Sequence, residues 1–265
     1  MNVCLSRCSA STNLRKMVNV VIPMAGAGSR FAKAGYKKPK PFIDVLGKPM
    51  ICHVLDNLNM DDVKFILLVR QEHYESEQET ILWIREHYNV EYVIISKLTE
   101  GAACTVLHAH RLINNNMPLL IANSDQIVDM NIADYIEDCN NRMLDGSILC
   151  FTDTTACDSY SFAKTNESGI VTEVREKQPI STHATVGVYY FSRGKSFVEA
   201  AIDMIVRNER VNNEFYVAPV YNYAIAKGEK YGIYNIDFSQ MHGTGTPDDL
   251  NKYIFFRKEA LIQKL

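Results

Sequence analysis

The chain has 265 residues, of which 47% are hydrophobic and 22% charged, and a formal net charge of -3. That length accommodates one large α/β domain or two small ones. The slight acidity argues against a general nucleic-acid binder, which needs a broadly basic surface. No apolar run reaches the length of a membrane span, so no membrane partner is expected. Seven cysteines (Cys4, Cys8, Cys52, Cys104, Cys139, Cys150 and Cys157) are scattered without a CxxC pair, and no secretory leader is visible. They are read as free thiols in a reducing cytoplasm.

Residues 1–16 are rich in Ser, Asn and Cys and carry no hydrophobic period. They are expected to form a disordered extension, or to precede a true start at Met17. Residues 17–265 are expected to form a single domain. A β-branched apolar run at 18–23 reads as a buried strand. It leads into Ala25, Gly26, Ala27, Gly28, Ser29 and Arg30, and then into a segment carrying Lys33, Lys37, Lys38, Lys40 and Lys48. Glycines let a backbone turn tightly and present its N–H groups, and the cations add fixed charge beside them. The order strand, glycine turn, cations suits a polyphosphate.

Further on, 49–58 reads as an amphipathic helix with Ile51, Val54, Leu55 and Leu58 on one face. Residues 64–69 form a second strand, and 72–87 a charged helix with Ile81, Leu82 and Ile84 inward. Residues 90–95 form a third strand, 105–113 a helix and 118–122 a fourth strand. Residues 131–144 give a helix with Ile132, Tyr135, Ile136, Cys139 and Met143 on its face, and 147–151 a strand. This alternation predicts a Rossmann-like three-layer α/β/α sandwich around a mostly parallel, mixed sheet.

From about residue 161 the strands shorten, at 161–165, 170–175 and 185–191, and predict a small antiparallel subregion facing the substrate. Helices are expected at 195–206 and 214–227, with a strand at 231–236. Thr246 and Pro247 open a last helix with Asp248 and Asp249 in its first turn, and Leu250, Tyr253, Ile254 and Leu261 form its buried stripe. Tyr253, Phe255 and Phe256 serve either to cover the sheet or to build a homo-oligomer interface.

The glycine turn lacks the third glycine of GxGxxG and the Gly-Lys-Ser/Thr ending of a P-loop. Its order instead resembles the opening of the nucleotidylyltransferases, the sugar-phosphate pyrophosphorylase superfamily. That family opens with a strand, a glycine loop ending in Arg, a Lys-Pro pair and a Gly-Lys-Pro. Here these are Gly26-Ala27-Gly28-Ser29-Arg30, Lys40-Pro41 and Gly47-Lys48-Pro49. The resemblance continues through Glu100-Gly101-Ala102-Ala103, Asn123-Ser124-Asp125-Gln126, Glu176-Lys177, Gly187-Val188-Tyr189 and Gly245-Thr246-Pro247, from about residue 18 to about 253.

The resemblance implies a nucleotide site on Met24, Ala25, Gly26, Ala27, Gly28, Ser29 and Arg30, completed by Gly101, Ala102 and Ser124. Arg30 and Lys40 would be the catalytic cations, on the triphosphate and near the reacting phosphate. Glu176, Lys177 and Gly187 would meet the acceptor. Asp125 would hold Mg²⁺. The family's second metal aspartate stands two residues before the Gly-Thr-Pro, where this chain has Gly243. Glu214 is the candidate replacement, or else a simple acid at a helix start, and Asp237 is the next candidate. Asp129 is read as a cap or surface charge. His183 is close enough in sequence to the Glu-Lys pair to touch substrate, and His242 stands inside the altered metal turn.

The implied activity is transfer of a nucleotidyl group from an NTP to a phosphorylated small molecule, with release of pyrophosphate. Within the superfamily, the residues following Gly101, the Ser124-Asp125-Gln126 turn and Gly243 look similar to short capsule-associated cytidylyltransferases, such as those acting on phosphoglutamine. CTP is therefore the nucleotide implied first. UTP or dTTP with a sugar 1-phosphate is the alternative. A glycosyltransferase consuming a nucleotide sugar would want an Asp-x-Asp pair, which Ser124-Asp125-Gln126 lacks. A non-catalytic nucleotide-binding homologue is expected to lose the cations, whereas Arg30, Lys40 and Lys177 are all present.

Overall fold

The computed structural model describes residues 17–262; the extension expected at 1–16 lies outside the described residues. In chain order the elements are β1 (Val18–Pro23), α1 (Ser29–Lys33), β2 (Asp44–Val45), β3 (Lys48–Pro49), α2 (Met50–Asn57), β4 (Val63–Arg70), α3 (Gln71–Ser76), α4 (Gln78–His87) and β5 (Val90–Ile95). Then follow α5 (Ala102–Leu107), α6 (His110–Ile113), β6 (Leu119–Ala122), β7 (Gln126–Val128), α7 (Ile132–Asn141), β8 (Gly146–Thr152), β9 (Ser161–Thr165), β10 (Val171–Glu176) and β11 (His183–Phe191). The chain ends with α8 (Gly194–Val206), α9 (Val220–Ala226), β12 (Tyr231–Ile236), β13 (Met241–Gly243) and α10 (Pro247–Ile262).

The main sheet is mixed, as the alternation predicts. β6, β1, β4 and β5 are parallel neighbours in that order, and β8 pairs β12 in parallel. Successive side chains of a strand point to opposite faces. Accordingly Val20 and Ile22 enter one core with α2, α4, α7 and α10, while Val21 enters a second with α5, α8 and α9. These two cores are the two interlayer spaces of the sandwich.

Two features of the topology position the site. The chain moves from β1 outward through β4 to β5, then returns to lay β6 on the other side of β1. The strand order reverses there, and the crevice beyond the carboxyl ends of such strands is where α/β sheets bind ligands. The second feature is β11. It runs antiparallel in the middle of the sheet, between β6 and β8, and overhangs the end of β6. The overhang pairs Ala184 with Phe162 of β9, and β9 pairs β10. The antiparallel subregion is thus anchored on a central strand rather than standing apart.

Several boundaries differ from the sequence reading. The expected helix at 72–87 breaks at Glu77 into α3 and α4. Ile81 and Ile84 are buried, but Leu82 is 52% exposed, because one residue along a helix turns the side chain about 100°. The expected helix at 105–113 divides into α5, which already starts at Ala102, and α6. Met143 lies beyond α7 at φ 51° and is 88% exposed, off the buried face. Residues 214–219 are not helical; α9 starts only at Val220. In α10, Leu250 and Tyr253 are buried and Ile254 partly so, while the Leu261 side chain lies outside the described residues. Tyr253 covers the sheet, whereas Phe255 and Phe256 are exposed.

Candidate active site

The glycine turn stands at the carboxyl end of β1. The Met24 N–H continues the ladder by donating to the Leu68 carbonyl at 3.0 Å. The Met24 and Ala25 side chains are core, so only their backbone is available to a ligand. Gly26 and Ala27 are exposed, and Gly28 takes φ 61° to start α1. A Cβ on Gly28 would sit 3.6 Å from Cβ of Lys40, an ordinary contact, so it is the positive φ rather than space that favours glycine here. Arg30 is exposed on α1 and, among the described residues, forms no ion pair.

Lys40 and Asp125 meet across 85 residues: the Lys40 ammonium donates to Asp125 Oδ2. Asp125 follows β6, and its carboxylate is only partly exposed. Its carbonyl is held by Thr244, whose N–H and hydroxyl both donate to it, at 2.8 and 3.0 Å. Gly245 leaves room beside the carboxylate; a Cβ there would lie 2.9 Å from Oδ2. β13 pairs β7 so that Gly243 faces Gln126, whose side-chain amide is about as near as a Gly243 Cβ could come, at 3.8 Å. At the position of the family's second aspartate, then, this chain presents a bare backbone opposite an amide.

Glu176 ends β10 and is 7% exposed. Burial pushes its carboxyl pKa up, against the lowering effects of the Ser161 hydrogen bond and Lys177 and with a raising contribution from Glu214. Lys177 adopts φ 55°, which turns its side chain out of the strand. Its ammonium donates to the Tyr216 hydroxyl at 3.0 Å and lies 5.0 Å from that ring's centroid. That hydrogen bond, with the carboxylates of Glu176 and Glu214, holds the Lys177 pKa above the usual lysine value.

Glu214 arrives here through a turn rather than a helix. Asn212 and Asn213 both take positive φ, 49° and 63°, and Val211 and Glu214 exchange backbone hydrogen bonds at 3.0 and 2.9 Å. Two left-handed residues between bridged neighbours make the tight hairpin turn that paired asparagines favour. Glu214 thereby comes close enough for its charge to raise the pKa of both Glu176 and Lys177. Asp237, the other candidate, caps its own short helix through Ser239 N at 2.8 Å. Among the described residues, no group of three or more His, Cys, Asp or Glu is placed to hold a metal.

The 100–103 loop connects the two halves. Gly101 has φ 123°, and a Cβ there would meet the backbone N and O of Phe215 at 2.5 Å. The Phe215 N–H donates to the Glu100 carbonyl at 2.7 Å, and the Ala103 N–H to the Phe215 carbonyl at 2.9 Å. Arg210 clasps the outside, 2.6 Å from Glu100 and 4.2 Å over the Phe215 ring. Gly187, at φ 89° in an irregular stretch of β11, leaves space for the Asn123 side chain, and its carbonyl accepts from the Asn123 N–H at 3.0 Å.

The crevice thus holds a glycine turn with cations on one side and an acid–lysine pair on the other. The profile of the family described as Nucleotidyl transferase matches residues 19–255. The chain belongs to that family. It is 26% identical over 217 residues, 73% of this chain and 85% of the relative, to a UTP–glucose-1-phosphate uridylyltransferase of Haloferax volcanii. It resembles the crystal structure of a nucleoside-diphosphate-sugar pyrophosphorylase from Vibrio cholerae RC9, with a TM-score of 0.74 at 26% identity, over 89% of this chain and 99% of that one. The fold also matches an inositol-1-phosphate CTP transferase of T. maritima, with a TM-score of 0.70 at 15% identity over 91% and 94% of the two chains. This chain is therefore a nucleotidyltransferase. No helix of the described residues is long and apolar enough to cross a membrane.

Within that family frame, the structure brings Gly28, Lys40 and Asp125 together, and separately Glu176, Lys177 and Glu214. Ser124 is partly exposed beside Asp125. His242 does not join the crevice: its Nε2 lies 2.8 Å from Asp129 Oδ2, and Arg257 holds the other oxygen at 2.5 Å. Asp129, read as a cap or surface charge, is the hub that ties β13 and α10 to the end of β7. His183 opens β11 beyond the end of β6. Sequence reasoning missed Ser161, Tyr216 and Thr244. All three lie far along the chain from the groups they hold, and no local pattern marks them.

Proposed function

We propose that the protein transfers a nucleotidyl group from a pyrimidine nucleoside triphosphate to a phosphorylated small molecule. The observation that carries this reading is the meeting of Lys40 and Asp125 beside the glycine turn, at the strand-order reversal, with Lys177 and Glu176 on the opposite lip. The Gly26–Ser29 backbone and Ala102 would border the nucleotide, and Arg30 would hold its β- and γ-phosphates. Lys40 would neutralise the α-phosphate. Lys177 would take the acceptor phosphate and Glu176 its hydroxyls. An acceptor phosphate oxygen attacks the α-phosphorus, the bond to the bridging oxygen breaks, and pyrophosphate leaves with the electron pair. The nucleophile is already an anion, so the chain's task is positioning and charge stabilisation.

Asp125 suits a hard cation as a single carboxylate ligand whose remaining positions are filled by phosphate oxygens and water, the usual arrangement for Mg²⁺. Bound there, Mg²⁺ would supply additional charge neutralisation on the phosphates. The Lys40 ammonium touches Oδ2 of the same carboxylate, so a cation would share the carboxylate with it or displace it. Glu214, whose charge reaches Glu176 and Lys177, is better suited to the acceptor than to that metal.

CTP is the first nucleotide to test, because Gly243 opposite Gln126 departs from the sugar-phosphate pattern. UTP with glucose 1-phosphate is the second reading, favoured by the Haloferax volcanii relative. The test is pyrophosphate release with CTP, UTP and dTTP, each paired with glucose 1-phosphate, phosphocholine or a phosphorylated amino acid, in Mg²⁺. One pair should stand clear of the rest. Release no higher than a no-enzyme blank for every pair would refute the proposal.

A further inference from the structure

Tyr216 is assigned no role by the motifs, yet its hydroxyl is the partner of the acceptor-side lysine. An ammonium has donors only, so in the Lys177–Tyr216 contact the phenolic oxygen must accept. Its own proton is then directed elsewhere. Among the described residues no other group is bonded to that hydroxyl. The ring is partly exposed. Lys177 is also fixed from behind: its N–H donates to the Tyr160 carbonyl at 3.0 Å, while its ammonium, 5.0 Å from the Tyr216 ring centroid, stands at the hydroxyl end of that ring. The chain therefore presents two donors side by side, one charged and one neutral.

We propose that Tyr216 is a specificity-determining residue for the acceptor: its hydroxyl accepts from Lys177 and donates to an oxygen of the acceptor phosphate, so that the two side chains grip one anion. Glu176 and Glu214 stand on the same side. They oppose a bare anion, which makes the second donor necessary and confines the phosphate to the Lys177–Tyr216 edge. Tyr216 is held in place by the Phe215 backbone, itself bonded to the 100–103 loop, so the acceptor grip and the nucleotide loop share one support. The inference rests on the nucleotidyl-transfer reading above.

The test compares wild type, Tyr216→Phe and Tyr216→Leu with whichever nucleotide and acceptor the wild type turns over. Tyr216→Phe keeps the ring in place and removes only the hydroxyl. Its KM for the acceptor should rise roughly ten- to a hundredfold, the loss of one hydrogen bond to a charged group. Its KM for the nucleotide and its kcat should stay within about twofold, since only acceptor binding is touched. Tyr216→Leu, which removes ring and hydroxyl together, should raise the acceptor KM at least as much. Calorimetric titration of the same acceptor into Tyr216→Phe without nucleotide should show the same loss of affinity. An unchanged acceptor KM in Tyr216→Phe overturns the inference while leaving nucleotidyl transfer standing. A parallel fall in kcat and nucleotide affinity also overturns it, by showing a merely structural role. A wild type that turns over no pair overturns both.

Discussion

Substituting Gly101 by Ala tests whether the 100–103 loop and the 211–216 segment are one mechanical unit. The added Cβ would stand 2.5 Å from both the N and the O of Phe215 and 2.9 Å from its carbonyl carbon, where ordinary contact begins near 3.4 Å. These are backbone atoms, so no rotamer change can relieve the overlap, and the 215 segment must retreat by about 1 Å to restore normal van der Waals spacing. The φ of 123° adds its own penalty for any residue with a Cβ. Backbone strain of about 1–3 kcal/mol, with roughly 0.5–1.5 kcal/mol for each of the two weakened Phe215 hydrogen bonds, totals about 2–6 kcal/mol. Urea unfolding followed by circular dichroism reads this as a lower midpoint. Because the retreat carries Glu214 and Tyr216 with it, pyrophosphate release should fall by roughly a hundredfold, the usual consequence of a 1 Å misplacement near the chemistry. Gly26→Ala is the stability control: nothing lies within 4 Å of its added Cβ, so its stability should change by no more than about 0.5 kcal/mol. If Gly101→Ala is as stable as that control and fully active, the two loops are not coupled in this way.

Arg30→Ala and Asp125→Ala should fold, since neither side chain is core, and should each lose about 2.7–4 kcal/mol of transition-state stabilisation, seen as a two- to three-decade drop in pyrophosphate release; near wild-type turnover would remove the residue from the assignment. Burial holds the Glu176 carboxyl above its ordinary pKa, so the folded chain keeps that proton to higher pH than the unfolded chain. The stability this contributes is complete below the ordinary glutamate value and is lost as pH rises through the raised folded value. Glu176→Gln should therefore gain in Tm relative to wild type as pH rises above the ordinary glutamate value, and parallel Tm profiles would count against it. Asp129→Ala leaves His242 and Arg257 without their shared partner; the loss of about 1 kcal/mol from this partly exposed network should lower Tm by roughly 2–4 °C, and an unchanged scan would show the network contributes nothing.

Much of the fold was legible because its signals are local. β1 and β12 carry short apolar runs whose limits are set by neighbouring residues, and α10 announces itself through Thr246 and Pro247, with Thr246 Oγ1 accepting from the Asp249 N–H at 3.1 Å. The glycine turn was legible as a turn for the same reason: Gly26 and Gly28 directly follow the apolar run of β1, and Gly28 takes φ 61°. Readings failed where a local pattern had two solutions. The apolar spacing after Glu214 fits a helix, but Asn212 and Asn213 take left-handed conformations and bridge Val211 to Glu214, which postpones the helix to Val220. Leu82 and Met143 fit an apolar count but not the phase of the helix each was assigned to.

The amino-acid sequence by itself determined the α/β alternation, the glycine turn that follows the first strand and the identity of the charged groups beside it. Periodicity and residue type act over a few residues, and no tertiary information is needed to read them. Which charges meet was decided only by the tertiary structure. Lys40 finds Asp125, and Lys177 finds Tyr216, across separations of 85 and 39 residues. Those meetings depend on β6 returning to the far side of β1 and on β11 overhanging its neighbour. Strand order and register are settled by the packing of both cores at once, a long-range cooperative outcome that no stretch of the chain encodes alone.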